Sequence, residues 1–311
     1  MTVHHSDETG PGERRRERGF TAFGGRVAAP TPEPGLHVVA TPIGNLGDIS
    51  LRALGVLAGA DAVLAEDTRV SRVLLNHYGI DTPLVAYHEH NAAAVRPQIL
   101  ARLARGETLA LISDAGTPLV SDPGYKLVLD AVAAGAGVTA VPGASAVMAA
   151  LVLGGLPTDR FFFEGFLPER SGARRTRLAD LAAVPGTLVF FESARRLADC
   201  LADVAAVLGP RPAAVARELT KRFEEVRRGT APDLAAHYEA EGAPRGECVL
   251  LVARPEAGQA PSADDLEARL AAALDTLSVK DAAAVVAGET GLPRREVYGR
   301  AVALAAARRP R

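Results

Sequence analysis

The sequence predicts an α/β protein with two sheet domains in succession, the first mainly parallel and the second mixed, followed by a small helical unit. Three observations predict it. Short apolar runs alternate with stretches of helical spacing from Leu36 to Val252, the pattern of strands joined by crossover helices. Compact polar or Gly/Pro-bearing segments follow each of the first five apolar runs. Beyond residue 261 the short apolar runs stop and capped helical patterns replace them.

Taken in order, residues 1–35 are polar, rich in Gly, Pro and Arg, and end in Pro30-Thr-Pro-Glu-Pro-Gly35. They read as a disordered tail. Glu13-Arg-Arg-Arg-Glu-Arg18 could touch RNA but reads first as solvated chain. No apolar h-region precedes it, so a signal peptide is not expected.

Strands are expected at Leu36–Ala40, Ala62–Ala65, Pro83–Tyr87, Leu109–Ser113 and Val138–Val141. Helices are expected near Ser50–Ala58, Val70–Tyr78, Pro97–Arg105 and Tyr125–Ala134, and Ser145–Leu153 closes the first domain, 36–156. The second domain, 157–255, has strand patterns at Phe161–Glu164, Thr187–Phe191, Pro212–Ala216, Phe223–Gly229 and Cys248–Val252. Its last two lack a long crossover between them, which makes a mixed sheet. A linker covers Arg254–Pro261. In 262–311, Ser262-Ala-Asp-Asp265 and Ser278-Val-Lys-Asp281 are capping-box patterns, and Pro293 suits the first turn of a third helix. Three short helices with a glycine turn before the last resemble a helix-turn-helix.

Composition excludes several classes. No run approaches the roughly 18 apolar residues of a membrane span. Cys200 and Cys248 stand far apart and form no CxxC pair, which suits a reducing cytoplasm and argues against structural zinc. The net charge is −2, so nucleic-acid contact must come from local basic patches. Residues 293–311 hold six arginines and one glutamate.

The most informative stretch is Ser113-Asp-Ala-Gly-Thr-Pro-Leu-Val-Ser-Asp-Pro-Gly124. It follows a buried-strand pattern, so it lies at the carboxyl end of a strand, where open α/β sheets bind ligands. Its glycines and prolines shape the loop. Asp114 and Asp122 supply acceptors, and no lysine is present to receive phosphate. The chemistry points to a nucleoside or cationic ligand. Gly135-Ala-Gly-Val-Thr-Ala140 matches a dinucleotide fingerprint, but it leaves a helix and enters a strand, so it reads as a helix stop. Four more strand-end segments, Thr41–Leu46, Glu66–Arg69, His88–Asn91 and Pro142–Ala146, place one crevice along the same edge. In the second domain Arg170, Arg174, Arg175 and Arg177 form either a phosphate-gripping loop or a solvated helix face. Lys221, one of three lysines, stands beside Glu218 as a catalytic cation or a structural ion pair.

The ordered motifs Thr41-Pro-Ile-Gly-Asn-Leu46, Glu66-Asp-Thr-Arg69, Ser113-Asp-Ala-Gly-Thr-Pro118, Asp122-Pro-Gly124, Pro142-Gly143, Glu164-Gly-Phe-Leu-Pro168 and Arg217-Glu-Leu-Thr-Lys221 resemble the ribosomal-RNA-methylating branch of the tetrapyrrole-methylase-fold family. The resemblance covers 36–254 closely and 262–308 more loosely. It implies a homodimer with S-adenosylmethionine as methyl donor in the cleft between the α/β domains, no metal, and 16S ribosomal RNA in the small subunit as substrate. The implied reaction is 2′-O-methylation of a cytidine ribose in the decoding region. Carried over by position, Pro42, Asp114, Ala115, Gly116, Thr117, Pro142, Ser145, Ala146, Phe166 and Leu167 contact the donor. Arg69, His88, Asn91, Arg170, Arg174, Arg175, Arg294 and Arg295 face RNA. The catalytic candidates are Lys221, Glu66, Asp67 and Glu192, with Asp114 also in reach of the chemistry. The alternatives are a precorrin-type tetrapyrrole C-methyltransferase, disfavoured by the basic segments, and a non-catalytic nucleotide-binding module, disfavoured by the missing phosphate loop.

Overall fold

A computed structural model describes residues 18–255, 263–290 and 292–307. It opens with a correction. Residues 18–35 are folded: β1 (Gly19–Ala22) and β2 (Gly25–Ala28) pair antiparallel. The turn between them has positive φ at Phe23 and Gly24 (51° and 76°), the two-residue geometry that matches strand twist. Phe20 is buried, the Thr21 N–H donates to Tyr78 O at 2.7 Å, and Arg18 reaches Gly59 O and Asp61. The polar composition hid a hairpin that one aromatic anchor and a few backbone bonds hold down. Residues 1–17, with most of the arginine run, lie outside the described residues.

The first sheet contains β3 (Gly35–Val39), β4 (Ala62–Ala65), β5 (Leu84–Ala86), β6 (Thr108–Ile112) and β7 (Val138–Val141). Its order is β5-β4-β6-β3-β7, and every pairing is parallel. Crossovers are α1 (Leu51–Gly59), α2 (Thr68–His77), α3 (Ala92–Ala104) and α4 (Tyr125–Ala133); α5 (Ala146–Gly154) follows β7. Strand alternation divides the core between the two faces. Val39, Val63, Ala110 and Ile112 pack with α1 and α2 residues, while Leu36, Leu64, Leu109 and Leu111 pack with Ile99, Leu103, Leu127 and Ala131 of α3 and α4. Helix α3 starts five residues ahead of the expected Pro97, which sits inside it. The residues after β2 also pack: a Cβ on Gly59 would meet Pro32 Cδ at 2.6 Å, so α1 needs glycine where the proline segment crosses it.

The second sheet has the order β11-β10-β12-β9-β8, from β8 (Phe161–Phe166), β9 (Thr187–Ser193), β10 (Pro212–Arg217), β11 (Glu225–Thr230) and β12 (Glu247–Val252). β8 runs parallel to β9 and β12 antiparallel to it, so the sheet is mixed, as expected. Its core joins Leu188, Phe190, Val215, Leu250 and Val252 to α6 (Ser171–Leu181), α7 (Leu197–Leu208) and α8 (Ala231–Glu241). The described residues fall into two compact units, 18–153 with Ala216–Val226 in one and the rest in the other. The β10–β11 loop, Lys221 included, therefore belongs with the first sheet rather than with the 157–255 domain expected from sequence.

The helical unit contains α9 (Ala263–Leu274), α10 (Val279–Thr290) and α11 (Arg294–Ala307) around Leu266, Leu270, Ala283, Val286, Val297 and Ala301. At the start of α10 the Asp281 N–H donates to Ser278 Oγ at 3.2 Å and the Ser278 hydroxyl donates to Asp281 at 2.6 Å. The matching signal at Ser262 lies outside the described residues. Among the described residues, no helix is long and apolar enough to cross a membrane.

Candidate active site

Sheet order decides which strand ends meet. From β3 the chain crosses β6 to reach β4, and from β6 it crosses β3 to reach β7. Neighbouring strands β3 and β6 thus send their connections in opposite directions, the switch point where open α/β sheets place a crevice. The loops that leave these two strands are Thr41–Leu46 and Ser113–Gly124.

Hydrogen bonds stitch these loops and their neighbours together. The Thr41 N–H donates to Gly116 O at 2.8 Å, and the Gly116 N–H returns to Thr41 O at 3.1 Å. Thr41 Oγ1 donates to Ser113 O at 3.2 Å. Thr117 Oγ1 donates to Ala144 O at 3.2 Å, which ties in the loop after β7. The Asp67 N–H donates to Asp114 Oδ1 at 3.0 Å, which ties in the loop after β4. Gly116 holds φ 77° and faces Ile43, so a Cβ there is strained as well as crowded. Leu119 and Ser121 hold φ 73° and 65° without being glycine, a conformation that persists only when surroundings impose it. This is a preformed loop system. Pro42 and Gly116 are buried, Thr117, Ser145 and Ala146 half-buried, and Asp114, Ala115 and Pro142 exposed. A nucleoside-sized ligand there would meet backbone polar groups and the Asp114 carboxylate. That donor and acceptor set fits S-adenosylmethionine, whose ribose hydroxyls and amino group need acceptors.

Four carboxylates crowd the same edge. Burial, then the charges of Asp122, Asp114 and Asp67, raise the pKa of Glu66. Burial also raises that of Asp122, against a hydrogen bond from Ser113. Asp67 goes the other way. Its carboxylate caps α2 by accepting from the Arg69 N–H at 2.8 Å and pairs with the Arg69 guanidinium at 2.6 Å, and these bonds hold its pKa at about 2. So strong an acid is a poor proton acceptor, and of the two adjacent carboxylates Glu66 is the better suited to take a proton.

Lys221 is shaped into place. Glu218 and Thr220 hold φ 50° and 64°, and the Lys221 ammonium donates to Glu218 Oε1 at 2.9 Å. The aliphatic stem lies over Gly44, where a Cβ would meet Lys221 Cε at 2.7 Å and Cδ at 3.0 Å. Gly44 itself holds φ 149°. The glycine of the first strand-end motif is thus the seat of the lysine of the last one, two positions 177 residues apart by numbering.

In the second unit, Phe166 is exposed and stacks edge-on with Phe191 at 5.6 Å. The Leu167 side chain belongs to the core, and its carbonyl accepts from Arg196 at 2.7 Å. Several sequence expectations are corrected by these bonds. Arg174 is buried and donates to Asp203 at 2.7 Å and to Glu169 O at 3.0 Å, so it holds the fold and does not reach RNA. Arg175 shares Asp203, and Arg177 pairs with Glu164 at 2.6 Å, so much of this cluster's charge is neutralised internally. Glu192 has no exposed side-chain surface, accepts from the Ser193 N–H at 2.7 Å and pairs with Arg196 at 3.2 Å, a structural clamp rather than a base. Asn91 is likewise spent on its own turn: Oδ1 accepts from the His88 N–H at 2.9 Å and Nδ2 donates to Ala86 O at 3.0 Å. His88 is half-buried in that turn; Arg69, Arg170, Arg294 and Arg295 are exposed.

A parallel sheet with a stitched ligand crevice, joined to a mixed sheet and a three-helix unit, defines a two-sheet ligand-binding α/β protein with a helical appendage. Comparison with known proteins gives the family. The model of the tetrapyrrole (corrin/porphyrin) methylases matches residues 35–235, and that of the RsmI C-terminal HTH domain matches 260–305. The chain belongs to the tetrapyrrole methylase family and, within it, to the ribosomal RNA small subunit methyltransferase I group. The group's protein from Mesorhizobium japonicum is 53% identical over 88% of this chain and 92% of its own. The one from Escherichia coli O157:H7 is 44% identical over 85% and 93%. Among solved structures, cobalt precorrin-4 methyltransferase is 20% identical with a TM-score of 0.54, covering 70% of this chain and 94% of that one. Uroporphyrin-III C-methyltransferase from Thermus thermophilus, complexed with S-adenosylhomocysteine, is 22% identical with a TM-score of 0.50, covering 70% and 97%. These two likenesses establish the shared fold.

Proposed function

We propose that this chain transfers a methyl group from S-adenosylmethionine to the 2′-hydroxyl of a cytidine ribose in the decoding region of 16S ribosomal RNA. The observation that carries it is the stitched crevice at β3/β6, whose Ser113–Gly124 loop holds no lysine, in a chain so similar to the small subunit methyltransferase I group. The precorrin-type alternative rests on relatives at about a fifth identity that share the fold, and fold does not fix substrate.

When bound, S-adenosylmethionine supplies a methyl already activated on sulfonium. The chain's task is then to orient the acceptor and receive its proton. The Asp114–Thr117 loop, the Pro142–Ala146 turn and Pro42 bind the donor. Glu66 is the proton acceptor best suited to a weakly acidic hydroxyl, because its surroundings raise its basicity. Lys221 stabilises oxygen charge as the proton leaves. Arg69, His88 and Arg170 face the RNA. The compartment is that of the ribosome, the cytoplasm.

The test is methyl transfer from labelled donor to isolated small subunits with the modified nucleotide mapped. Label on a cytidine 2′-oxygen is expected; no transfer, or label on a base carbon, overturns the reading.

The homodimer is part of the same proposal. Tyr125, Leu129 and Val132 form one exposed stripe of α4, Met148 and Val152 one of α5, and β7 is an unpaired sheet edge. Apolar stripes of this kind mark protein interfaces. Leu129→Asp is expected to shift the mass in sedimentation velocity from two chains to one without loss of helix content. A dimer that persists at low micromolar concentration places the interface elsewhere.

A further inference from the structure

The helical unit holds Arg294 and Arg295, which the family resemblance turns toward RNA, and the structure adds neighbours to them. Lys280 near the start of α10 and Arg294, Arg295 and Tyr298 on the first turns of α11 line one open groove of about 460 Å³. All three cations are exposed, and Tyr298 is 46% exposed. The nearest acids in sequence are engaged elsewhere: Asp281 with Ser278 at 2.6 Å, and Glu296 with Arg300 at 3.7 Å. Among the described residues, no carboxylate lies within ion-pair distance of Lys280, Arg294 or Arg295.

The unit is not basic throughout. Helix α9 bears Glu267 as well as Arg269. Of the five cations among the unit's described residues, Lys280, Arg294 and Arg295 line the groove, and like charges gathered there repel one another without a counterion. The contrast with the α6 arginines is direct, since Arg174, Arg175 and Arg177 all have carboxylates. A phenol ring among unneutralised cations matches single-stranded nucleic acid: cations take the phosphates and the ring takes a base face.

We infer that the α10–α11 groove is a docking site for a single-stranded segment of the RNA substrate, with Lys280, Arg294 and Arg295 on phosphates and one base stacked on Tyr298. This deepens the proposed function and rests on it. The groove serves to hold substrate away from the chemistry, so its loss changes substrate affinity and not the reaction of bound substrate.

The experiment uses the full chain and a labelled, mixed-sequence single-stranded RNA 12-mer, followed by fluorescence anisotropy from 50 to 200 mM salt. Arg294→Gln/Arg295→Gln is expected to reduce the slope of log affinity against log salt by about 1.4 units, since each phosphate contact on a single strand contributes about 0.7. Tyr298→Leu is expected to weaken binding about tenfold or more at unchanged slope, the scale of one lost base stack, and Tyr298→Phe to restore it. These residues are exposed, so melting temperatures should match the parent and separate binding loss from unfolding.

Unchanged RNA affinity in all variants overturns the inference. So does loss of binding to intact subunits with normal binding to the 12-mer, which would mean a protein partner. A salt-slope change with no effect at Tyr298 also overturns it, since the groove is then a polyanion surface without a base site. Parent-chain methyl transfer to small subunits is read separately. Its absence sinks the enzyme reading, whereas normal transfer with variants that bind like the parent sinks only the groove.

Discussion

Lys221→Met is expected to lower the single-turnover rate of methyl transfer by about a hundredfold or more, with donor binding and melting temperature unchanged. The expectation comes from the way the lysine is held. Two non-glycine residues with left-handed backbone, Glu218 and Thr220, precede it, and its stem lies across Gly44. Strain of this kind is kept where surrounding structure imposes it, commonly at functional sites. An ordinary surface pair would contribute at most about 1 kcal/mol and would need no such arch. The competing role is structural: Lys221 pairs with Glu218 and fastens the β10–β11 loop to the first sheet. In that case Lys221→Met lowers stability and leaves the rate per folded molecule nearly unchanged. Glu66 supplies a second readout. A base must be unprotonated, so the rate should fall as pH drops through the Glu66 pKa, which burial and then its acidic neighbours raise above the usual glutamate value. Glu66→Gln should be slow and should lose that acid limb. An acid limb that persists in Glu66→Gln assigns the proton to another group.

Asp203→Ala is expected to destabilise the second unit by about 3–5 kcal/mol, the cost of leaving a buried charge unpaired. Asp203 and Arg174 are 3% and 4% exposed at their side chains and meet at 2.7 Å. Arg175 and the Ser171 hydroxyl complete the site. Burial opposes ionisation of Asp203, but the hydrogen bonds from Arg175, Ser171 and Arg174 outweigh it and leave its pKa below the ordinary value. The sign follows. A carboxylate with a depressed folded pKa contributes stability that is present above its unfolded pKa and is lost as pH falls through the folded value. The parent should therefore lose this contribution only well into acid, and the difference between parent and Asp203→Ala, measured by urea unfolding, should shrink there. Arg174→Ala together with Asp203→Ala should cost less than the sum of the two single changes. If Asp203→Ala unfolds within 1 kcal/mol of the parent, the pair is not what holds α6 to α7.

Some corrections were foreseeable and others were not. The hairpin before β3 had a local signal, Gly24-Gly25 two residues after a short β-prone run, but its composition matched disorder. Phe20 is buried in a cluster that includes the distant Ala53 and Tyr78. The arginines of α6 look alike in sequence at 170, 174, 175 and 177. Nothing local says that Asp203, on another helix, takes two of them. Asp67 and Glu66 are adjacent carboxylates, yet one becomes a stronger acid and the other a weaker one. Asp67 caps a helix, a local event, whereas Glu66 responds to burial first and then to charges delivered by the loop after β6.

Local patterns were sufficient for the strands and most helices of both sheets, because burial imposes a period on each segment that shows in its own residues. They were sufficient also for the strand-end motifs and the family resemblance they carry. What tertiary structure alone decided is which of those motifs meet. Strand order β5-β4-β6-β3-β7 brings Thr41 to Gly116 and Asp67 to Asp114, and the excursion between β10 and β11 carries Lys221 onto Gly44. The physical reason is range. Periodicity and capping are fixed within a few residues, whereas pairing of strands, neutralisation of charges and the basicity of Glu66 depend on groups that only the packed chain brings within a few ångströms.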